Sequence, residues 1–183
     1  MRILPALALC VVVLTSSTLA AGVPGPEARL RPQDARLSDL LRQGASRSTT
    51  FKTLVDRIEA SNVIVYVALN PLMKSSLSGM LTWMTRSGDY RYVRASISTD
   101  LSPDQMIATL AHELQHAVEV IEDESVIDEA SLIALYRRIG QQSGGNAPMR
   151  WETAAAQQTG FKVRRELVAA PATTLARSGD TRS

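Results

Sequence analysis

The sequence contains one cysteine and two histidines among its 183 residues, and only 4% of the residues are aromatic. A single cysteine cannot form an internal disulfide, so a disulfide-stapled scaffold is excluded. Because aromatic residues are scarce, Leu, Ile, Val, Ala and Met have to supply most of the core. Twenty basic and eighteen acidic residues leave a net charge of +2 with no long basic run, which excludes the electrostatic signature of a nucleic-acid-binding protein. The hydrophobic content of 45% and the charged content of 21% are typical of one soluble globular domain.

The first 20 residues have the three regions of a secretory signal peptide: a positive charge, an apolar run over residues 6–14 and small residues before Ala20. The run is too short for a comfortable membrane span, so a retained anchor is the less favoured alternative. Lipoprotein processing at Cys10 is rejected because Leu9 stands where a small side chain is needed. Cleavage after Ala20 predicts a secreted or periplasmic protein that has no cysteine and no membrane attachment.

The remaining chain divides into three parts by composition and periodicity. Residues 21–47 begin with a Pro- and Gly-rich stretch and are predicted to be a flexible leader or a pro-segment. Residues 48–170 carry the periodic hydrophobic patterns of a folded domain. Residues 171–183 are predicted to be a loose tail.

Within this domain, the patterns predict an α+β fold with a small antiparallel sheet, made of one strand plus a hairpin and packed against helices. The strand Arg91–Ser98 alternates like an exposed edge strand, which could hold an extended peptide by strand addition, with Arg91 and Arg94 as solvated charges. The predicted elements are a helix over residues 48–60, a strand over 62–69, a hairpin of 77–85 with 90–98, a helix over 103–121, a helix from Ser125 to Gly140, a polar loop over 141–148 and a last helix over 150–169.

The helix that starts at Pro103 has the clearest start signals in the chain. Ser102 offers an N-cap, Pro103 occupies the first helical position and Gln105 stands at the capping-box position. Apolar residues then recur at helical spacing as far as Ile121. We therefore expect a rigid helix to carry the sequence motif that lies in its middle.

That motif is His112-Glu113-Leu114-Gln115-His116. The two histidines are one turn apart, about 40° around the axis and about 6 Å along it, so both imidazoles can share a metal ion. Glu113 lies about 100° round from His112 and can reach a water held by that ion without being a ligand. In metal-assisted hydrolysis this glutamate accepts a proton and delivers it to the leaving amine. The probability that the two histidines of the chain form this pattern by chance is below about 0.1%.

The ten residues from Thr109 to Val118 resemble the active-site helix of the zincin metallopeptidases, and their flanks are similar to those of the thermolysin-like gluzincins. The order of elements over residues 48–170 also resembles a small zincin catalytic domain. The resemblance implies a Zn²⁺ cofactor and hydrolysis of peptide bonds in a peptide or protein substrate. It further implies His112 and His116 as zinc ligands and Glu113 as the general acid/base.

Catalytic zinc usually has three protein ligands, and with both histidines used and no cysteine in the mature chain the third must be a carboxylate. Glu119 lies about 10 Å along the helix from His112 and is better placed as a supporting or solvated residue. Asp128 and Glu129 have sufficient roles as acids at the start of the next helix. Glu152, predicted to open the final helix, resembles the gluzincin ligand on a separate downstream helix and is the preferred third ligand.

One position departs from the thermolysin-like pattern. Those enzymes carry an acid four residues after the ligand glutamate that orients a histidine, and Ala156 stands there in this sequence. The orienting partner is then missing, or it comes from Glu119, from Asp128 or from a backbone carbonyl. For the developing oxyanion, Tyr136 is the preferred donor and Arg137 the second choice, although a tyrosine at helical spacing is also an ordinary core residue.

Three functions stay open on the sequence alone. The leading one is a secreted zinc metallopeptidase. The second is a zinc-binding domain without catalytic activity that acts by binding other molecules, and a fourth protein ligand on the metal would favour it. The third is a zinc-dependent hydrolase of a non-peptide substrate. The oligomeric state and the cleavage preference are open as well.

Overall fold

The computed structural model describes residues 28–73, 77–143 and 150–170. The predicted signal peptide over residues 1–20, the start of the leader and the tail over residues 171–183 lie outside these ranges. The elements are β1 (Leu30–Pro32), α1 (Ala35–Arg47), α2 (Thr49–Glu59), β2 (Val63–Asn70), β3 (Gly79–Ser87), β4 (Tyr90–Ser98), α3 (Pro103–Glu122), α4 (Glu129–Ile139), β5 (Gln141–Ser143), β6 (Arg150–Glu152) and α5 (Ala154–Ala169). None of the helices in the described ranges combines the length and the apolar character that crossing a membrane requires.

The fold is α+β, but its main sheet is mixed rather than antiparallel as expected. The strand order is β1-β2-β4-β3, in which β1 and β2 are parallel, β2 and β4 are parallel, and only β3 and β4 are antiparallel. The chain leaves β2, forms β3 on the far side of β4 and returns along β4. Because the hairpin is placed outside β2 in this way, its second strand runs in the same direction as β2.

This order also corrects the predicted edge strand. Strand β4 is an inner strand, paired on both sides, and β1 and β3 are the edge strands. The Arg91 side chain on β4 is consequently buried, with only 3% of its surface exposed, whereas Arg94 is exposed. The alternation in residues 91–98 reflects one strand face that meets the helices and one face with polar residues, rather than a free edge.

Helices α1, α2 and α3 pack against one face of the main sheet, and α5 packs on these three helices. Strands β2 and β4 present to them a surface of small β-branched side chains, and α3 presents an apolar stripe, so the core needs few aromatic residues. The fully buried side chains at this junction are Val63, Val65, Val67, Val93, Ala95 and Ile97 from the sheet and Ile107, Leu110 and Leu114 from α3.

Residues 30–47 belong to this packed fold, which corrects the predicted domain start at residue 48. Strand β1 extends the sheet beside β2, and Leu37 and Leu40 of α1 are buried. The helical periodicity breaks at Ser48 because this residue ends α1 and also caps α2, where its side chain accepts a hydrogen bond from the Phe51 N–H. Only residues 21–27 of the predicted leader lie outside the described ranges.

The C-terminal half differs from the sequence prediction at two boundaries. Helix α4 begins at Glu129 rather than Ser125, because Asp128 is its N-cap and accepts a hydrogen bond from the Ser131 N–H. Residues 141–143 of the predicted loop form β5, which pairs with β6. Glu152 therefore lies on a short strand instead of opening the last helix, and α5, capped by Thr153, begins four residues later than predicted.

Candidate metal centre

The site is built on α3, which lies against the sheet and is buried along most of its length. The predicted capping box is present: the Ser102 N–H donates to the Gln105 side chain, and Pro103 stands at the first helical position. This start fixes the register of the helix and directs His112, Glu113 and His116 toward the space between β3, α4 and β6. His116 and Glu113 are buried, and His112 is partly exposed.

His112, His116 and Glu152 converge at this place. Each side chain offers one ligand atom, and the three atoms lie within 4.8 Å of one another. The His112 Nε2 is 3.1 Å from a Glu152 carboxylate oxygen. The two histidines come from one helix and the glutamate from β6, which the β5–β6 ribbon brings back over α3. The three side chains form a cluster that could hold a metal ion.

Glu119 orients His116 within this cluster. Its carboxylate lies 2.8 Å from the His116 Nδ1 on one side and accepts a 2.5 Å hydrogen bond from the Thr153 hydroxyl on the other. Only 5% of the Glu119 surface is exposed, so the carboxylate has to be hydrogen-bonded. An ionised carboxylate at Nδ1 holds the proton on that nitrogen and leaves Nε2 with a free lone pair. Glu119 thus supplies the orienting acid that Ala156 does not provide.

Thr153 is a residue of the candidate site that sequence reasoning missed. It follows Glu152 directly, its hydroxyl donates to Glu119, and it also accepts the Ala156 N–H as the N-cap of α5. The link joins the strand that carries Glu152 to the helix that carries His116. A threonine before a helical pattern is a recognisable cap signal, but its second contact depends on how α5 packs against α3.

Glu113 lies beside the cluster, packed between α3 and the edge strand β3. The Leu81 backbone amide lies near its carboxylate and favours the charged form. Burial raises the pKa of Glu113 to about 7, although the neighbouring His116 and His112 act to lower it. Strand β3 passes so close that a Cβ at Gly79 would lie 2.5 Å from a Glu113 carboxylate oxygen. Gly79 is a second position that sequence reasoning missed, since its importance arises only from this contact.

His112 shows the electrostatic character of the site. Burial acts to lower the pKa of its imidazole, but the hydrogen bond with Glu152 and the charge of Glu113 outweigh this effect and raise it. Cations are therefore favoured between His112 and Glu152, where a proton or a metal ion would relieve the repulsion among the carboxylates.

Helix α5 passes directly over His112, and Gly160 lies at the point of closest approach. A Cβ at this position would be 3.4 Å from the His112 Cβ and 3.4 Å from the Ala108 carbonyl oxygen. The three alanines that open the helix contribute less than the sequence suggested, because Ala156 is buried while Ala154 and Ala155 are exposed. Helix α5 does pack on α3, as is required for Glu152 to lie beside the two histidines.

Tyr136 of α4 lies beside His116. The two rings meet edge to face with centroids 5.2 Å apart, and the Tyr136 hydroxyl lies 3.5 Å from the His116 backbone carbonyl oxygen. Burial raises the pKa of the Tyr136 phenol well above its ordinary value, so the hydroxyl keeps its proton and can donate. Arg137 is exposed on α4.

The other acids considered as ligands lie outside the cluster. Asp128 caps α4, and its pKa is lowered mainly by the hydrogen bond from the Ser131 side chain. Glu129 is exposed and borders the space beside the cluster, and Glu119 is bound to His116 and Thr153. Of the four carboxylates, Glu152 alone forms a cluster with both histidines.

Two depressions open on either side of the cluster and share His112, Glu113 and Glu152. The first, which we name the apolar depression, has a volume of about 360 Å³ and is lined by Leu81, Trp83, Leu132, Tyr136 and Trp151, among others. The second, which we name the α5 depression, has a volume of about 480 Å³, and its α5 wall is formed by Gln157, Gly160, Phe161 and Arg164. The edge strand β3 borders both depressions through Gly79.

Comparison of the chain with protein-family models, with curated proteins and with solved structures finds no significant match.

Proposed function

We propose that this protein is a small secreted or periplasmic zinc metallopeptidase that hydrolyses peptide bonds with Glu113 as the general acid/base. The observation that carries the proposal is the division of roles among four side chains. His112, His116 and Glu152 converge on one point. Glu113 lies next to them and lines both depressions. This is the arrangement that metal-assisted hydrolysis needs, and it agrees with the resemblance of residues 109–118 to the zincin active-site helix.

Two imidazole nitrogens and one carboxylate oxygen suit zinc, whose catalytic sites have three protein ligands. His112 and Glu152 already face each other, and Glu119 leaves the His116 Nε2 available. Zinc bound by these residues would lower the pKa of a water and polarise the carbonyl of the scissile bond.

The remaining chemistry belongs to the chain itself. Glu113 is buried against strand β3 beside Gly79 and Leu81, so its carboxylate is held in place before a substrate arrives. It would accept a proton from the attacking water and deliver it to the leaving amine. Tyr136 lines the apolar depression, and its hydroxyl is the proposed donor to the developing oxyanion.

Strand β3 offers a binding place for an extended peptide. Its partner is β4 on one side, and no other strand of the described ranges pairs with its outer side. That edge borders both depressions, so a peptide added to the sheet there would pass the cluster with side chains on either side of it. The strand that would pair with an added peptide is therefore β3, and not β4 as the sequence predicted.

A metal-binding domain without activity is the second candidate function. Structural zinc sites are usually closed by four protein ligands, whereas the cluster in the described part of the chain has three. The missing acid at Ala156, which favoured an inactive domain, is compensated by Glu119. A catalytic site is therefore the better explanation.

The test combines metal analysis of the purified mature protein with cleavage of a peptide library and of a panel of ester and amide substrates. We expect about one zinc ion per chain and cleavage of peptides. Glu113→Gln should keep the zinc and lower turnover by about 10² to 10⁴, while His116→Ala should lose the zinc. Zinc without cleavage of any substrate would favour the inactive domain, and cleavage confined to the ester and amide panel would favour the non-peptide hydrolase.

Secretion is tested separately by sequencing the N-terminus of exported protein. A mature chain that begins at Ala21 or within a few residues supports the proposed location. An intact Met1 in the membrane fraction contradicts it.

A further inference from the structure

The α5 depression contains a basic side chain that the proposed chemistry does not use. Arg164 is the one lysine or arginine among the described residues that line the two depressions. Its side chain is exposed, and it takes part in none of the ion pairs found in the described ranges. Its guanidinium is therefore available to a molecule that enters the depression.

The helical geometry places Arg164 close to the cluster. Gly160 packs against His112, and Arg164 stands one turn further along α5 on the same side, about 6 Å along the axis. An extended peptide advances by about 3.3 Å per residue. The guanidinium is thus within reach of a group about two or three residues from a bond held at His112.

Phe161 lies between these two residues on the same wall. Its ring is 67% exposed, an unusual position for a phenylalanine in a chain with few aromatic residues. Gln157, one turn earlier, adds an amide to the same stripe of α5. An exposed aromatic ring with a free guanidinium one turn away forms a surface that suits a peptide segment ending in, or carrying, a carboxylate.

The α5 wall differs in charge from the other walls of the two depressions. The titratable groups that face the two depressions are His112, His116, Glu113, Glu152, Glu129, Tyr136 and Arg164. The acids lie at the cluster and at the rim of the apolar depression, so Arg164 is the one permanent positive charge among them. A carboxylate on the substrate would avoid the acids at the cluster and pair with Arg164.

We propose that Arg164 is a specificity-determining residue that pairs with a carboxylate of the peptide substrate in the α5 depression. The inference rests on the proposed peptidase function and extends it by naming the substrate class. The carboxylate has two sources, the free C-terminus of a peptide and the side chain of Asp or Glu, and both offer the bidentate geometry that a guanidinium prefers.

The experiment uses two pairs of fluorescein-labelled hexapeptides with the full mature protein. The first pair is Gly-Leu-Phe-Ala-Gly-Ala as the free acid and as the amide. The second pair, both amidated, is Gly-Leu-Phe-Ala-Glu-Ala and Gly-Leu-Phe-Ala-Gln-Ala. Peptide affinity is measured by anisotropy on the zinc-loaded Glu113→Gln variant and on metal-free protein, and kcat/KM is measured on the unmutated protein.

We expect the carboxylate member of at least one pair to bind about 5- to 20-fold more tightly than its neutral counterpart at low salt, with the ratio falling as ionic strength rises. A preference within the first pair identifies the C-terminal carboxylate, and a preference within the second identifies an acidic side chain. Arg164→Gln should remove the preference, Arg164→Lys should keep part of it, and Arg164→Glu should reverse it.

The matched control is Arg165→Gln, an exposed arginine about 100° round α5 that does not line the depression. It should leave the preference unchanged. The proposal is overturned if neither pair shows a preference, or if Arg165→Gln has the same effect as Arg164→Gln. Failure of the unmutated protein to cleave any peptide would count against the peptidase function, while the binding ratios would still decide the role of Arg164.

Discussion

The Glu119 carboxylate lies 2.8 Å from the His116 Nδ1, three residues earlier on the same helix, and accepts a second hydrogen bond from Thr153. The helix that carries the two histidines thereby also carries an orienting acid for one of them. This arrangement replaces an acid on the downstream helix, where Ala156 stands, and it connects His116 to the residue that follows Glu152.

Glu119→Gln is expected to weaken zinc binding by about 10- to 100-fold, because a neutral amide supports the His116 imidazole less strongly than a carboxylate does. Affinity can be measured by competition with a chromophoric chelator. Glu122→Gln, an exposed glutamate of the same helix that pairs with Arg57, is the matched control and should leave the affinity unchanged. Equal zinc affinity in the two variants would contradict an orienting role for Glu119.

Gly79→Ala is expected to lower the rate of peptide hydrolysis by about 10²-fold while zinc content stays near one per chain. The added methyl group would lie 2.5 Å from a Glu113 carboxylate oxygen and 2.7 Å from the Thr109 methyl group, so the carboxylate or strand β3 has to move. Ser87→Ala, at an exposed position of the same strand outside both depressions, serves as the control. Full activity of Gly79→Ala would show that Glu113 tolerates displacement or is not the base.

Glu166→Gln should lower the free energy of unfolding by about 1–2 kcal/mol at pH 7. Burial acts to raise the pKa of Glu166, but hydrogen bonds from Ser48 and Thr50 outweigh it, and the pKa in the folded protein is lowered. A lowered pKa means that the stabilisation is present above the ordinary glutamate pKa and is lost as the pH falls through the folded value.

Denaturant unfolding between pH 7 and pH 3 checks this prediction. The gap between the unmutated protein and Glu166→Gln should close as the pH falls. Asp56→Asn, which removes an exposed pair with Lys52, should change the stability by less than about 0.5 kcal/mol. A constant gap across the pH range would mean that Glu166 acts through packing and not through its charge.

Arg91→Met is expected to lower the free energy of unfolding by about 2–4 kcal/mol. The buried guanidinium donates to the Val120 and Asp123 carbonyl oxygens at the end of α3, at 2.7 and 2.8 Å, and to the Asn62 side chain. Without it these carbonyls lose their partner and the favourable charge at the helix C-terminus.

Hydrogen exchange in the last turn of α3 should become faster in Arg91→Met, and thermal unfolding should shift to a lower temperature. Arg94→Met, on the exposed face of the same strand, is the matched control and should have little effect on either measurement. Similar stability losses in the two variants would show that Arg91 contributes no more than a solvated charge.

Features that depend on local spacing could be predicted from the sequence. The cap at Ser102 and the apolar periodicity define the helix of residues 103–122, and the four-residue separation of His112 and His116 puts both imidazoles on one side of it. The Ser87–Asp89 turn defines the hairpin of β3 and β4 for the same reason. Glu152 was reachable by elimination, because few residue types can be zinc ligands and the other candidates were used or better explained.

Tertiary structure decided what depends on contacts between distant parts of the chain. Local patterns do not show which strand of the hairpin pairs with β2. In the structure β4 pairs with β2, which makes the sheet mixed and leaves β3 at an edge. The same arrangement buries Arg91. Residues 30–47 joined the core because β1 pairs with a strand more than 30 residues away. The roles of Thr153 and Gly79 arise only from approach distances, which side-chain packing sets and sequence spacing does not encode.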